Sequence, residues 1–186
     1  LEDNRYIIRP ANLAPQSPGE GFGIYESSSG WRVLVFELIG RCDMQYGPDN
    51  PFLRADRILH EQEGRYDVAV CEIHASATSE KLAMGFYLDG RVSAVYGTHT
   101  HVPTADARVN PEGTGYITDL GMTGPKWSVL GVRKEQSIAM FRGDLTSRFE
   151  PAEGVCVLQG AVFDIDESTG KCRSVQRIEE EYVPGK

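Results

Sequence analysis

A chain of 186 residues that is 40% apolar is long enough for one ordinary domain with its own core and too short to argue for two. Its formal charge of −8, from 27 acidic against 19 basic residues, disfavours nonspecific binding to nucleic acid or to an anionic membrane. A phosphate ligand stays open, because bound cations can make a local site positive inside an acidic protein.

No apolar stretch approaches the length of a membrane span, and the amino terminus lacks the basic and apolar regions of a signal peptide. Cys42, Cys71, Cys156 and Cys172 are scattered, with no C-x-x-C pair. That usage reads as reduced thiols, and a cytoplasmic location is expected. The chain begins with Leu1 rather than methionine, so its true start is expected upstream.

Arg9-Pro10-Ala11-Asn12 and the following run through Pro15, Pro18, Gly19, Gly21 and Gly23 read as an irregular loop, since proline and glycine punctuate both regular structures. Trp31 to Ile39 reads as a strand. Its run Val33-Leu34-Val35-Phe36 is apolar on both faces, as expected of a buried strand. Gly40-Arg41 closes it, and Arg41 is placed to meet either a phosphate or solvent. Asn50 then caps a helix with Pro51 at its first position. Phe52, Ala55, Ile58 and Leu59 recur at helical spacing until Gly64, with His60 off that stripe.

The run Val68 to Ile73 is a second strand ending at His74. A second helix starts near Thr78, with Glu80 in its first turn, Leu82, Ala83, Phe86 and Tyr87 as its apolar face, and Gly90 at its end. A short strand, Val92 to Tyr96, delivers His99 and His101. Strand, helix, strand, helix, strand points to a layered α/β arrangement. Beyond it come a strand from Tyr116 to Asp119, a tight loop from Gly121 to Pro125 and a helix from Lys134 to Phe141. The strands Val155 to Ile165 and Cys172 to Ile178 are joined by a hairpin turn at 166–170.

The chain has four histidines, and three of them, His74, His99 and His101, follow β-branched runs. In a strand, alternate side chains share a face, so an H-x-H pair at a strand end can aim both rings at one point. With both strand ends facing the same way, three imidazoles would converge at the edge of the sheet, where open α/β folds place their sites. Neutral imidazole takes zinc, iron or manganese, so the metal stays undecided. A two-metal centre for phosphoryl chemistry also needs a bridging carboxylate. Glu72, Asp106 and Asp119 lie near, although each also reads as an ordinary solvated or supporting carboxylate.

Three stretches carry a resemblance: Glu72 to Lys81, Gly97 to Val102, and Tyr116 to Pro125. Together with Arg9-Pro10-Ala11-Asn12 and Gly40-Arg41, they make the chain, from about Arg5 to Val183, similar to the YmdB-like branch of the calcineurin-like metallophosphoesterases. The resemblance implies a four-layer α/β/β/α sandwich and a bacterial cytoplasmic phosphodiesterase acting on cyclic nucleotides or related phosphodiesters. It implies two divalent metal ions, iron or manganese with zinc open. His74 and His99 would bind one ion and His101 the other, with a metal-bridging hydroxide attacking phosphorus.

The same comparison marks what the chain does not carry. The family's amino-terminal Gly-Asp, Glu-Asn and Gly-Asn-His motifs, which include the bridging carboxylate and the general acid histidine, have no counterpart in place. Ser76 and Glu72 also depart from the family's glutamate and aspartate. The expectation is one incomplete domain over residues 1–186, inactive by itself and open to association into a homo-oligomer. It would bind a small phosphodiester rather than a membrane or a stable nucleic-acid partner. Two other readings stand beside it: a non-catalytic module holding a single structural or regulatory zinc, and a mononuclear zinc hydrolase complete in itself.

Overall fold

The computed structural model describes residues 4–45, 47–144 and 148–184, so Leu1 lies outside the described residues. In chain order the elements are β1 (Phe22–Glu26), β2 (Arg32–Ile39), α1 (Pro51–Glu61), β3 (Val68–His74), α2 (Thr78–Tyr87) and β4 (Ala94–Thr98). Then come β5 (Arg108–Val109), β6 (Gly115–Ile117), β7 (Thr123–Pro125), α3 (Lys134–Phe141), β8 (Cys156–Ile165) and β9 (Cys172–Tyr182).

Local chemistry accounts for several of these elements. Asn50 Oδ1 accepts from the backbone N–H groups of Phe52 and Leu53 at 2.9 and 3.3 Å, which caps α1, and Pro51 starts it without losing a needed donor. The apolar stripe of α1 is buried at Ala55, Ile58 and Leu59. The hairpin turn between β8 and β9 is built on Asp166, whose carboxylate accepts from the backbone N–H groups of Ser168 and Thr169.

Six strands form one sheet in the order β1-β2-β3-β4-β6-β5, and three form a second in the order β7-β8-β9. The four central strands β2, β3, β4 and β6 run parallel, with β1 and β5 antiparallel at the two edges. All four carboxyl ends therefore face one way. Leu34, Phe36, Leu38, Ala69, Cys71, Ile73, Val95 and Tyr116 pack with Ala55, Ile58, Leu59, Met84 and Leu88 into one apolar core beneath α1 and α2. On the other face of the sheet, a Cβ added at Gly115 would crowd Cys172, Phe163 and Val175 of the small sheet at 2.6–3.0 Å. The two sheets thus touch across the carboxyl-terminal hairpin, giving layers in the order helices, large sheet, small sheet. This is an α/β fold.

The structure corrects the sequence reading in several places: β6 ends at Ile117 rather than Asp119, and β9 runs on to Tyr182 rather than Ile178. β1 occupies part of the stretch read as irregular loop, and β7 forms where a tight loop was expected, because β8 offers it an edge. β4 runs to Thr98, two residues beyond the expected Tyr96. The buried side of α2 is Lys81, Met84 and Gly85, while Ala83, Phe86 and Tyr87 are exposed. The cause is specific: Lys81 is drawn inward by a carboxylate, and a side chain at Gly85 would run into the ring of Tyr116. The four cysteines are free thiols. Among the described residues no helix is long and apolar enough to cross a membrane.

Candidate metal centre

Parallel pairing of β3 with β4 sets His74 opposite Thr98 and Glu72 opposite Tyr96. Because strand side chains alternate, all four project from the sheet face turned away from α1 and α2. The Thr98 hydroxyl donates to Glu72 Oε1 at 2.7 Å, so only a lone pair of Thr98 is left for His74 Nδ1, 2.9 Å away. His74 therefore carries its proton on Nδ1, an assignment made from the network, and its Nε2 keeps a lone pair. This arrangement of carboxylate, hydroxyl and imidazole is the kind that orients a metal-binding histidine.

His99 Nδ1 lies 3.1 Å from that Nε2, with the two rings edge to face at a centroid separation of 4.8 Å. Two nitrogens each about 2.1 Å from a shared ion stand roughly 3.0 Å apart at a right angle and roughly 3.4 Å apart at a tetrahedral one. The observed spacing suits a pair of donors to one ion. Burial, followed by the charges of His99 and Lys81, lowers the His74 pKa from its ordinary value, with Asp119 opposing. The neutral form, which is the one that binds metal, is favoured.

The H-x-H pair is not in strand geometry. β4 ends at Thr98, and His99 and His101 have φ angles of 99° and 63°, in the left-handed region that residues with a Cβ seldom adopt. The pair belongs to a turn, and its two rings need not share a face. His99 meets His74. His101 is exposed and borders a small cleft shared with Val102, Pro103, Met122, Lys126 and Gln159. His60 is exposed near the end of α1. The backbone of Arg41 is held by the Glu80 carboxylate, and Gly40 N–H donates to the His74 carbonyl at 2.9 Å, so the loop after β2 is tied beside the site.

Each neighbouring carboxylate is already engaged. Glu72 accepts from Thr98, and Asp106 accepts from the hydroxyls of Thr104 and Thr118, both at 2.6 Å. Asp119 pairs with Lys81 at 2.8 Å, with both side chains 1% exposed. Burial alone would raise the Asp119 pKa, but the bonds from Lys81, Thr100 and Gly121 outweigh it and hold the group ionised. Among the described residues no group of three or more His, Cys, Asp and Glu side chains is placed to hold an ion. The donor set therefore fits one corner of a metal centre and lacks a bridging carboxylate.

Thr98, Thr100 and Lys81 were not anticipated from sequence. The alternation of Glu72 with His74 and of Tyr96 with Thr98 was a usable signal for Thr98. The 81-84-85-88 spacing was one for Lys81, had lysine been allowed on a buried stripe.

The family description YmdB-like protein matches residues 1–178 of this chain. Over 178 residues the chain is 46% identical to the 2',3'-cyclic-nucleotide 2'-phosphodiesterase of Bacillus subtilis (strain 168), covering 96% of this chain and 67% of that protein. A crystal structure of a hypothetical protein from Thermus thermophilus superposes with a TM-score of 0.85 at 40% identity, covering 94% of this chain and 67% of that one. A crystal structure of a novel phosphatase from Mycoplasma pneumoniae gives 0.88 at 33% identity, covering 98% and 66%. The chain spans about two thirds of the length of the proteins it matches. With the match running from the first residue to the second strand of the terminal hairpin, the chain belongs to the YmdB-like protein family.

Proposed function

We propose that this chain is part of a metal-dependent phosphodiesterase acting on cyclic nucleotides or related phosphodiesters, the class in the name of its Bacillus subtilis relative. One observation carries the reading: at the carboxyl edge of the parallel strands, the unprotonated His74 Nε2 faces His99 Nδ1 at 3.1 Å, where its lone pair accepts from the His99 ring. In this reading His74 and His99 hold one divalent ion and His101 a second, with iron or manganese preferred and zinc open. The bridging carboxylate and the general acid come from the third of the relatives' length that this chain does not span. Residues 1–186 are then one domain completed by that segment, and the chain alone turns over poorly.

When bound, paired divalent ions stabilise the oxygens of a phosphodiester and lower the pKa of water. The chain's own residues do the rest. Glu72 and Thr98 fix the tautomer of His74, and His99 gives up its Nδ1 proton on loading. The exposed turn at His99 and His101 leaves room for an anionic substrate at the sheet edge. Water adds to phosphorus, one ribose P–O bond breaks, and the departing oxygen takes a proton, opening a 2',3'-cyclic phosphate to a monoester.

The test compares hydrolysis of 2',3'-cyclic AMP by the 186-residue chain and by a longer version carrying the residues encoded upstream. Turnover is expected only in the longer protein, and His99→Ala should abolish both metal uptake and turnover there. Full activity in the shorter chain, or activity surviving His99→Ala, overturns the proposal. A second reading is favoured by the single imidazole pair and the absence, among the described residues, of a three-donor group: a non-catalytic module with one structural or regulatory zinc. One tightly held ion per chain and no hydrolysis in the longer version would select it.

A further inference from the structure

We infer that the buried Asp119 carboxylate, seated against Lys81, positions the turn that carries His99 and His101, holding it through Thr100. The inference rests on reading those histidines as metal donors. Asp119 Oδ2 accepts from Lys81 Nζ at 2.8 Å, from Thr100 N–H at 3.0 Å and from the Thr100 hydroxyl at 2.7 Å, while its Oδ1 accepts from Gly121 N–H at 2.9 Å. Four donors converge on one carboxylate, and two of them belong to the residue between the two histidines.

That residue is flanked on each side by a left-handed backbone, at His99 and at His101. Such conformations persist at non-glycine positions where the surroundings over-determine them. Asp119 supplies that constraint by gripping both the main chain and the side chain of Thr100. Lys81 in turn anchors Asp119 to α2, whose Met84 sits in the core. The route is built for it: a Cβ at Gly97 would lie 2.9 Å from Lys81 Cδ, so the lysine stem crosses β4 where a side chain is missing. A buried ion pair adds little net stability over an apolar replacement of similar volume, so the role left to this one is directional.

Two double variants of the 186-residue chain separate position from stability. Lys81→Met with Asp119→Asn removes the buried charges but keeps an amide oxygen for Thr100. Lys81→Met with Asp119→Leu removes that acceptor as well. Cobalt(II) affinity, read by its visible spectrum, and Thr100 amide hydrogen exchange, read without metal, are measured alongside Tm. The leucine variant should lose about 10–100-fold in cobalt affinity, the range for groups that support a ligand, and should exchange Thr100 faster by a similar factor. The asparagine variant should stay within about threefold of the parent in both, since its amide oxygen preserves the support.

If the two variants match each other in Thr100 exchange and cobalt affinity, the inference is overturned and the acceptor at position 119 is merely structural. Should the parent chain bind no cobalt, Thr100 exchange alone decides whether Asp119 holds the turn. If the leucine variant does not fold, Thr100→Val, which deletes one of the two bonds to Asp119, takes its place. An unchanged cobalt affinity and an unchanged Thr100 exchange in that variant also overturn the inference.

Discussion

Replacing Thr98 with valine removes one oxygen and keeps the branched shape that β4 prefers. In the native chain that oxygen accepts from His74 Nδ1 at 2.9 Å and donates to Glu72 Oε1 at 2.7 Å. Valine leaves both partners to water, on a face that is only partly buried. A neutral hydrogen bond contributes about 1 kcal/mol and one to a charged acceptor about 1.5–3 kcal/mol; rehydration of the two freed partners offsets part of their sum, and a stability loss of about 2 kcal/mol is expected. For a chain of this length that lowers Tm by roughly 4–8 °C. The functional effect is separate, because without the threonine His74 is free to move its proton from Nδ1 to Nε2 and so to block the nitrogen that faces His99. A loss of about 10–100-fold in cobalt(II) affinity follows. Long-range proton–nitrogen NMR of the metal-free chain reads the tautomer directly, and a cobalt titration reads the affinity. If Thr98→Val keeps its His74 proton on Nδ1 and binds cobalt as tightly as the parent, the proposed role of the Glu72–Thr98 pair is wrong.

Two other outcomes are accessible by thermal melts. Gly97→Ala should destabilise by about 3 kcal/mol or more, because the new Cβ would overlap the backbone oxygen of Thr118, which cannot swing aside as a flexible side chain could; a variant melting within a degree of the parent would refute this. Burial, reinforced by the charge of Glu72, raises the Glu37 carboxyl from 4.5 to about 7. A carboxyl raised in the folded state leaves stability fully present below about pH 4.5 and lost as pH climbs through about 7. The full displacement corresponds to about 3 kcal/mol, which screening at this partly exposed site cuts to about 1–2 kcal/mol. Glu37→Gln should therefore gain about that much on the parent at about pH 8 and close the gap at about pH 4. Parallel Tm curves from acid to neutral pH would contradict it.

Elements defined by neighbouring residues were legible in the sequence. Asn50 and Pro51 set the start of α1 through bonds made within three residues, and the polar turn at 166–170 joins two long strands. α3 was expected from Lys134 to Phe141 and is found there. Elements defined by a distant partner were not. β1 contains Gly23, which looked like punctuation, yet it pairs with β2 over five residues, and the ring of Tyr25 lies over Gly23 where a side chain would otherwise stand. β7 is three residues that become a strand because β8 has a free edge.

The same division runs through the candidate site. Residue type and a place after β-branched runs single out His74, His99 and His101 as candidate metal donors. Their spacing suggests a shared strand face, but left-handed backbone at His99 and His101 turns the pair, and that conformation follows from contacts no local pattern encodes.

The sequence by itself determined which residues are chemically able to bind a metal, the α/β alternation that gathers strand ends at one edge, and the caps and turns that delimit the helices. Only the tertiary structure decided that Lys81 points inward, that Thr98 sets the tautomer of His74, and that Asp119 is spent on Thr100. The reason is range. Caps and turns are closed by atoms a few residues apart, whereas Lys81 and Asp119 are 38 positions apart and Glu72 and Thr98 are 26 apart. Pairs so distant acquire an energy only once the sheet has brought them together and removed the water between them.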